Sequence, residues 1–318
     1  MKRQKLLGIL IFMALAISIR TGWSEVNEAL SKLTISIILV LIAFQLITTI
    51  LISLQWQFLF KFSKFDKPDF STILQVNFAA TFIESITPSS KLGGESAKVY
   101  LFYNLTKNNV SEIIAAVTIQ KAATFIPFLI ISLSVLTYWP YGYSEFLTFS
   151  FSTSTIFYLI SLIISIYLLL KFSKKNSYIK NKILGFEKSI NDIAKTIKDI
   201  LTIPRFLYLV FFALVFWFLY PVKTYILSNH LNFDIGFLPI TASTFLAYLI
   251  GTLPLTPGGL GSFEATLALI LSQQGISFAE GLTIALLLRL ITFWFPLILS
   301  ALVSIKLTNK LDLSFRKR

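Results

Sequence analysis

The chain predicts an all-α polytopic membrane protein, with about six full transmembrane helices and two re-entrant or broken-helix hairpins arranged as an inverted repeat. Three observations carry that expectation. Of its 318 residues 55% are hydrophobic, and the mean hydropathy is +0.77. Apolar runs long enough to cross a hydrocarbon core of about 30 Å recur along the chain. A short motif also occurs twice inside apolar sequence: residues 87–97 read TPSSKLGGESA and residues 256–265 read TPGGLGSFEA. In each copy a glutamate, Glu95 or Glu264, lies seven residues after the proline, with glycines between.

The first run, 5–22, follows Lys2, Arg3 and Lys5. Ala14-Leu-Ala16 resembles a leader cleavage site. Cutting there would leave a hydrophobic stretch of only about eight residues, and Arg20 follows soon after, so an uncleaved span is expected. Further crossings are expected at 33–60, 111–138, 152–171, 204–229 and 277–306. Segments 71–105 and 236–273 are interrupted by the motif. Their second legs, about 95–105 and 262–273, reach roughly 16–18 Å as helix and cannot cross alone. They are therefore expected to be hairpins with the glycines at the buried tip, where protein or a wet cavity must satisfy the unwound backbone. Residues 172–203 form the only extended polar stretch. There Ile179, Ile183, Phe186, Ile190, Ile193, Ile197 and Ile200 recur at helical spacing among lysines, predicting an amphipathic helix in the interface or against another helix. One membrane domain, 1–318, thus holds repeat A (about 33–138), this linker and repeat B (about 204–306).

Charge placement orients the spans. A cytoplasmic N-terminus puts 23 Lys/Arg inside, including Lys91, Lys98 and Lys107 on the first hairpin and five from Lys306 to Arg318. Only Arg20 and Lys32 fall outside, while Lys121, Lys223 and Arg289 lie within spans. Both termini are then cytoplasmic, in a cell (plasma or inner) membrane, and the hairpins open to opposite faces. The net charge of +13 follows these loops rather than a nucleic-acid face.

Repeated ions within apolar sequence are costly, so function is their default explanation. Lys121 lies 26 residues after Glu95 and Arg289 lies 25 after Glu264, which predicts the pairs Glu95–Lys121 and Glu264–Arg289. A pair that opens for a phosphate would be a gate, and a closed pair would be scaffold. Gly258, Gly259 and Gly261 beside Pro257, with Gly93, Gly94 and Lys91 in the first copy, are expected to form a lipid head-group site in which the glycines bring bare amides, and Lys91 a cation, to a helix start. Alternatively the glycines only permit tight packing. Glu84 and Lys91 have no ionic counterparts in the second copy, and Lys223, after Pro221, is expected to snorkel toward the outer interface.

Several chemistries find no support. There is no cysteine, His230 is the single histidine, and no Walker-type loop is present. Neither a cofactor nor a metal site is expected, and no catalytic residue is nominated.

The stretch 253–265, LPLTPGGLGSFEA, followed by Arg289, resembles the signature of the lysylphosphatidylglycerol synthase transmembrane (flippase-like) family, and the resemblance covers essentially the whole chain. Where the family often has Glu-Arg in the span after the first copy, this chain has Gln120-Lys121. The resemblance implies a stand-alone member without the soluble synthase domain, moving a phospholipid or polyprenyl-phosphate-linked lipid between leaflets. The expected partner is that lipid, with or without a second copy of the chain. The rival is a membrane enzyme of lipid-linked sugar metabolism. Against it, Asp66, Asp69, Glu187, Asp192 and Asp199 form no Asp-x-Asp pair. A third reading is an accessory membrane subunit.

Overall fold

The computed structural model describes residues 33–62, 66–87, 90–138, 191–253 and 256–315, and among them every regular element is helical. The expected spans 5–22 and 152–171, and linker residues 172–190, lie outside them.

Four stretches are long and apolar enough to cross a membrane among the described residues. They are α1 (Ile35–Phe62), α4 (Val110–Tyr138), α5 (Ile203–His230) and the nearly continuous pair α8 (Phe278–Arg289) and α9 (Phe295–Phe315). At 28 residues, α1 and α5 each reach about 42 Å. α8 starts at a capping box in which the Ser277 hydroxyl accepts from the Glu280 N–H and the Glu280 carboxylate accepts from the Ser277 N–H. It passes into α9 through a π turn, Leu290–Trp294. Pro296 explains the turn: it lacks the N–H that would meet the Thr292 carbonyl, and its ring crowds that carbonyl.

Between these lie the two hairpins. The first is α2 (Phe70–Ile86) and α3 (Ser90–Leu105), and the second is α6 (Phe237–Gly251) and α7 (Ser262–Ser272). α2 stops at Thr87, whose φ of −93° and ψ of 138° are the extended conformation imposed by the following Pro88. The first hairpin differs from expectation. α3 begins at Ser90, so Gly93 and Gly94 are helical and the tip lies ahead of them. The leg is 16 residues, about 24 Å, rather than the short piece expected from residue 95. In the second hairpin the glycines do form the tip, as a 3₁₀ turn over Pro257–Gly259.

Two apolar cores result. One gathers Trp56, Phe60, Ile73 and Phe102 around the first hairpin, and the other gathers Leu227, Phe263, Leu267 and Leu288 around the second. α1 and α5 contribute to both. The linker residues 191–200 are helical, and Ile200 is buried in the first core with Ile197 packed beside it. That stretch of the amphipathic face therefore docks on the bundle, while Lys195 and Lys198 stay exposed. The turn Pro257–Gly259 abuts both α2 and α3, so the second motif is seated against the first hairpin.

Candidate head-group site

Glu264 occupies the first turn of α7. Its Oε2 accepts from the Gly261 N–H at 2.6 Å, satisfying an otherwise unpaired donor at the helix start. Its Oε1 accepts from Arg289 Nε at 2.9 Å. Arg289 closes α8, and its Nη2 donates to the Gly258 carbonyl at 2.8 Å. The guanidinium also lies 4.4 Å from the Phe263 ring centre and 5.0 Å from that of Phe293. The first copy is looser. Glu95 Oε1 accepts from Lys121 Nζ at 2.7 Å and from Lys98 Nζ at 3.3 Å, and its buried Oε2 has no hydrogen-bond partner. The Lys121 side chain is 37% exposed, against 7% for Arg289.

Both ion pairs expected from the sequence spacing are thus formed, and they border one cavity of about 300 Å3. Glu84, Glu95, Lys98, Lys121 and Arg289 supply its charges. Gln45, Thr48, Asn77 and Thr292 supply neutral hydrogen-bonding groups, and Trp217, Tyr220 and Tyr248 an aromatic wall. A polar chamber with cations at two sides, inside an otherwise apolar helix bundle, has room and hydrogen-bonding groups for a hydrated, negatively charged group.

At Gly259 and Gly261 the backbone is engaged otherwise than as a bare anion cradle. Gly258 and Gly259 hold φ of +61° and +68°, the left-handed region. A Cβ on Gly258 would run into the Phe293 ring, and one on Gly259 would sit 2.6 Å from the Gly251 carbonyl oxygen. Two amides of the turn are bonded within it: the Gly259 N–H bonds the Thr256 carbonyl at 3.2 Å, and the Gly261 N–H is taken by Glu264. Pro257 begins the turn on the exposed side. From this motif the cavity receives Gly258 and Phe263, both set against the Arg289 guanidinium. In the first copy Gly93 and Gly94 let α3 approach α2. A Cβ would meet Thr87 Oγ1 at 2.5 Å from Gly93, and Glu84 Cβ at 2.9 Å from Gly94. The Lys91 side chain lies outside the described residues.

Lys223 corrects a second expectation. It does not snorkel to an interface; it is fully buried, donating to Gln45 Oε1 at 2.6 Å and Thr48 Oγ1 at 3.4 Å, with the Tyr220 ring centre 4.3 Å away. Pro221 and Lys223 lie about two turns before the C-terminal end of α5, and the Lys223 side chain is held against Gln45, Thr48 and Tyr220 rather than running along the helix toward that end. Lys98 and Gln45 were also missed as cavity residues. Signals existed for both: Lys98 is three residues after Glu95 on one helix face, and Gln45 and Thr48 are polar at helical spacing in an apolar span.

A family model described as "Lysylphosphatidylglycerol synthase TM region" matches residues 5–300. The chain belongs to this family. Among the chain's curated relatives is a UPF0104 membrane protein of Methanothermobacter thermautotrophicus, 22% identical and covering 91% of this chain and 90% of the relative. A UPF0104 membrane protein of Methanocaldococcus jannaschii is 23% identical over 96% of this chain and 95% of its own length. One from Pyrococcus horikoshii is 22% identical over 96% and 97%. These are whole-length likenesses, and family membership places the cavity in a multi-pass membrane protein.

Proposed function

We propose that this protein moves a lipid with a phosphate-bearing head group, a phospholipid or a polyprenyl-phosphate-linked lipid, between membrane leaflets. The observation that carries the reading is the shared chamber. One cation from the span following each motif copy, Lys121 and Arg289, faces a single polar cavity within an apolar bundle. Burying such charges without a use is expensive in lipid. In this reading the chain is a carrier rather than a catalyst: the head group enters the chamber while the tails stay in hydrocarbon. Gln120, Thr124 and Thr292 would hydrogen-bond its remaining oxygens. Reconstitution tests it. Liposomes holding the purified protein and fluorescent phospholipids or short-chain polyprenyl phosphates are expected to show protein-dependent exchange between leaflets. Rates no faster than protein-free liposomes for every probe would remove the proposal.

The topology proposed with it has both termini cytoplasmic and the hairpins entering from opposite faces, supported by the charge bias and by the seating of the second turn against α2 and α3. Lys107 and Asp234 are exposed and lie at the non-tip ends of the two hairpins. Single cysteines there are expected to react with an impermeant maleimide from inside and outside respectively. Reaction of both from one side would overturn the inverted arrangement.

A further inference from the structure

We propose that Lys223 is a proton-binding site coupled to the cavity, so that an anionic head group loads together with one proton. This rests on the head-group reading above. Of the three cations expected within spans, Lys121 and Arg289 hold carboxylates, whereas Lys223 forms no ion pair among the described residues. Its acceptors, Gln45 Oε1 and Thr48 Oγ1, are neutral, and both residues line the cavity. Lys223 therefore lies one layer of side chains behind the cavity wall.

Hydrogen-bond capacity suits both protonation states. A neutral amine has two N–H donors for these two acceptors, and the ammonium's third can point at the Tyr220 ring. Charge balance supplies the coupling. Lys98, Lys121 and Arg289 are matched by Glu84, Glu95 and Glu264, so the charges in the wall or bonded to it cancel. An arriving phosphate monoanion is then uncompensated in a low-dielectric chamber, and a proton taken from water onto Lys223 restores neutrality. When the head group leaves, the proton is free to leave with it.

The surroundings offer few rivals. α1 faces Lys223 with Gln45 and Thr48, and its charged residue, Lys61, lies at the far end. α6 presents Thr244, bonded to Thr224, and Tyr248, packed on Tyr220. The charges on the cavity side are Glu84 from α2, Lys121 from α4 and Arg289 from α8. On α5 itself Arg205, Tyr208, Tyr225 and His230 lie along the helix on either side of it.

Calorimetry of the full chain in detergent, with dihexanoyl phosphatidylglycerol and a short-chain polyprenyl phosphate as probes, tests this. Titrations in two buffers of different ionisation enthalpy count the protons bound with each ligand. The wild type is expected to take up as much as about one proton per head group. Lys223→Met and Lys223→Arg should take up none. They should separate in affinity, with the methionine variant about tenfold weaker and the arginine variant keeping its affinity with no pH dependence. Equal uptake in the wild type and Lys223→Met, or uptake abolished only by Glu84→Gln, would overturn the inference while leaving the head-group reading intact. No uptake in a wild type that binds a probe would do the same. If the wild type binds neither probe at any pH, the head-group reading itself fails and the proton goes with it.

Discussion

Glu264→Gln is expected to destabilise the protein by about 3–5 kcal/mol, because it leaves Arg289 as a buried, unpaired charge. The effect should be visible as a large drop in thermal midpoint in detergent. Glu264 is 3% exposed and Arg289 6%, so little water is available to take the carboxylate's place. Arg289→Lys should also be severe. It keeps the charge but loses the fork that joins Glu264 Oε1 to the Gly258 carbonyl. Exchanging the two charges should recover almost nothing. The Gly261 N–H would lose its acceptor and the Gly258 carbonyl its donor. The same exchange at Glu95 and Lys121 should recover more, since that lysine makes a single hydrogen bond to one oxygen. A double-mutant cycle measures the coupling. Additive effects of Glu264→Gln and Arg289→Gln would show that the two act separately.

Gly259→Ala is expected to be the most damaging of the single-methyl additions. At φ +68° the new side chain is strained, and it also falls 2.6 Å from the Gly251 carbonyl oxygen and 3.0 Å from the Gly251 Cα. Both obstacles are backbone, so neither can rotate away. Together they should cost about 2–4 kcal/mol. Gly275→Ala is the control. Its φ is +92°, yet nothing lies within 4 Å, so strain alone should cost about 1 kcal/mol. If the two variants unfold at the same temperature, the close approach of the α6 end to the turn is not what makes Gly259 necessary. Under the proposed function, loss of lipid exchange in Gly259→Ala should track loss of folded protein, because the Gly259 and Gly261 amides already bond within the turn.

Much of this architecture was legible because its signals are periodic or repeated. Long apolar runs gave α1, α4 and α5 to within a few residues, and the start of the α8–α9 stretch, whose helix runs nine residues past the expected end at 306. The 25- and 26-residue spacing from acid to cation gave both ion pairs. The glycines misled for a physical reason. A glycine pair marks either a left-handed turn or a close helix contact, and one-dimensional spacing does not distinguish them; Gly258 and Gly259 are the first, Gly93 and Gly94 the second. Lys223 misled because the partners of a mid-span lysine are tertiary. Gln45 lies 178 residues away in sequence, and nothing local to α5 announces it.

The difference in exposure between the two cations has a mechanical consequence. Arg289 is pinned by a carboxylate, a carbonyl and two aromatic rings, so it behaves as a fixed jaw: its position does not depend on what the chamber contains. Lys121, a flexible four-carbon arm with more than a third of its surface open, is a sliding jaw. Under the proposed function, a vice built this way would grip cargoes of different width by moving one side only, with its tolerance for head-group size set by the reach of Lys121 and the cargo's position by Arg289.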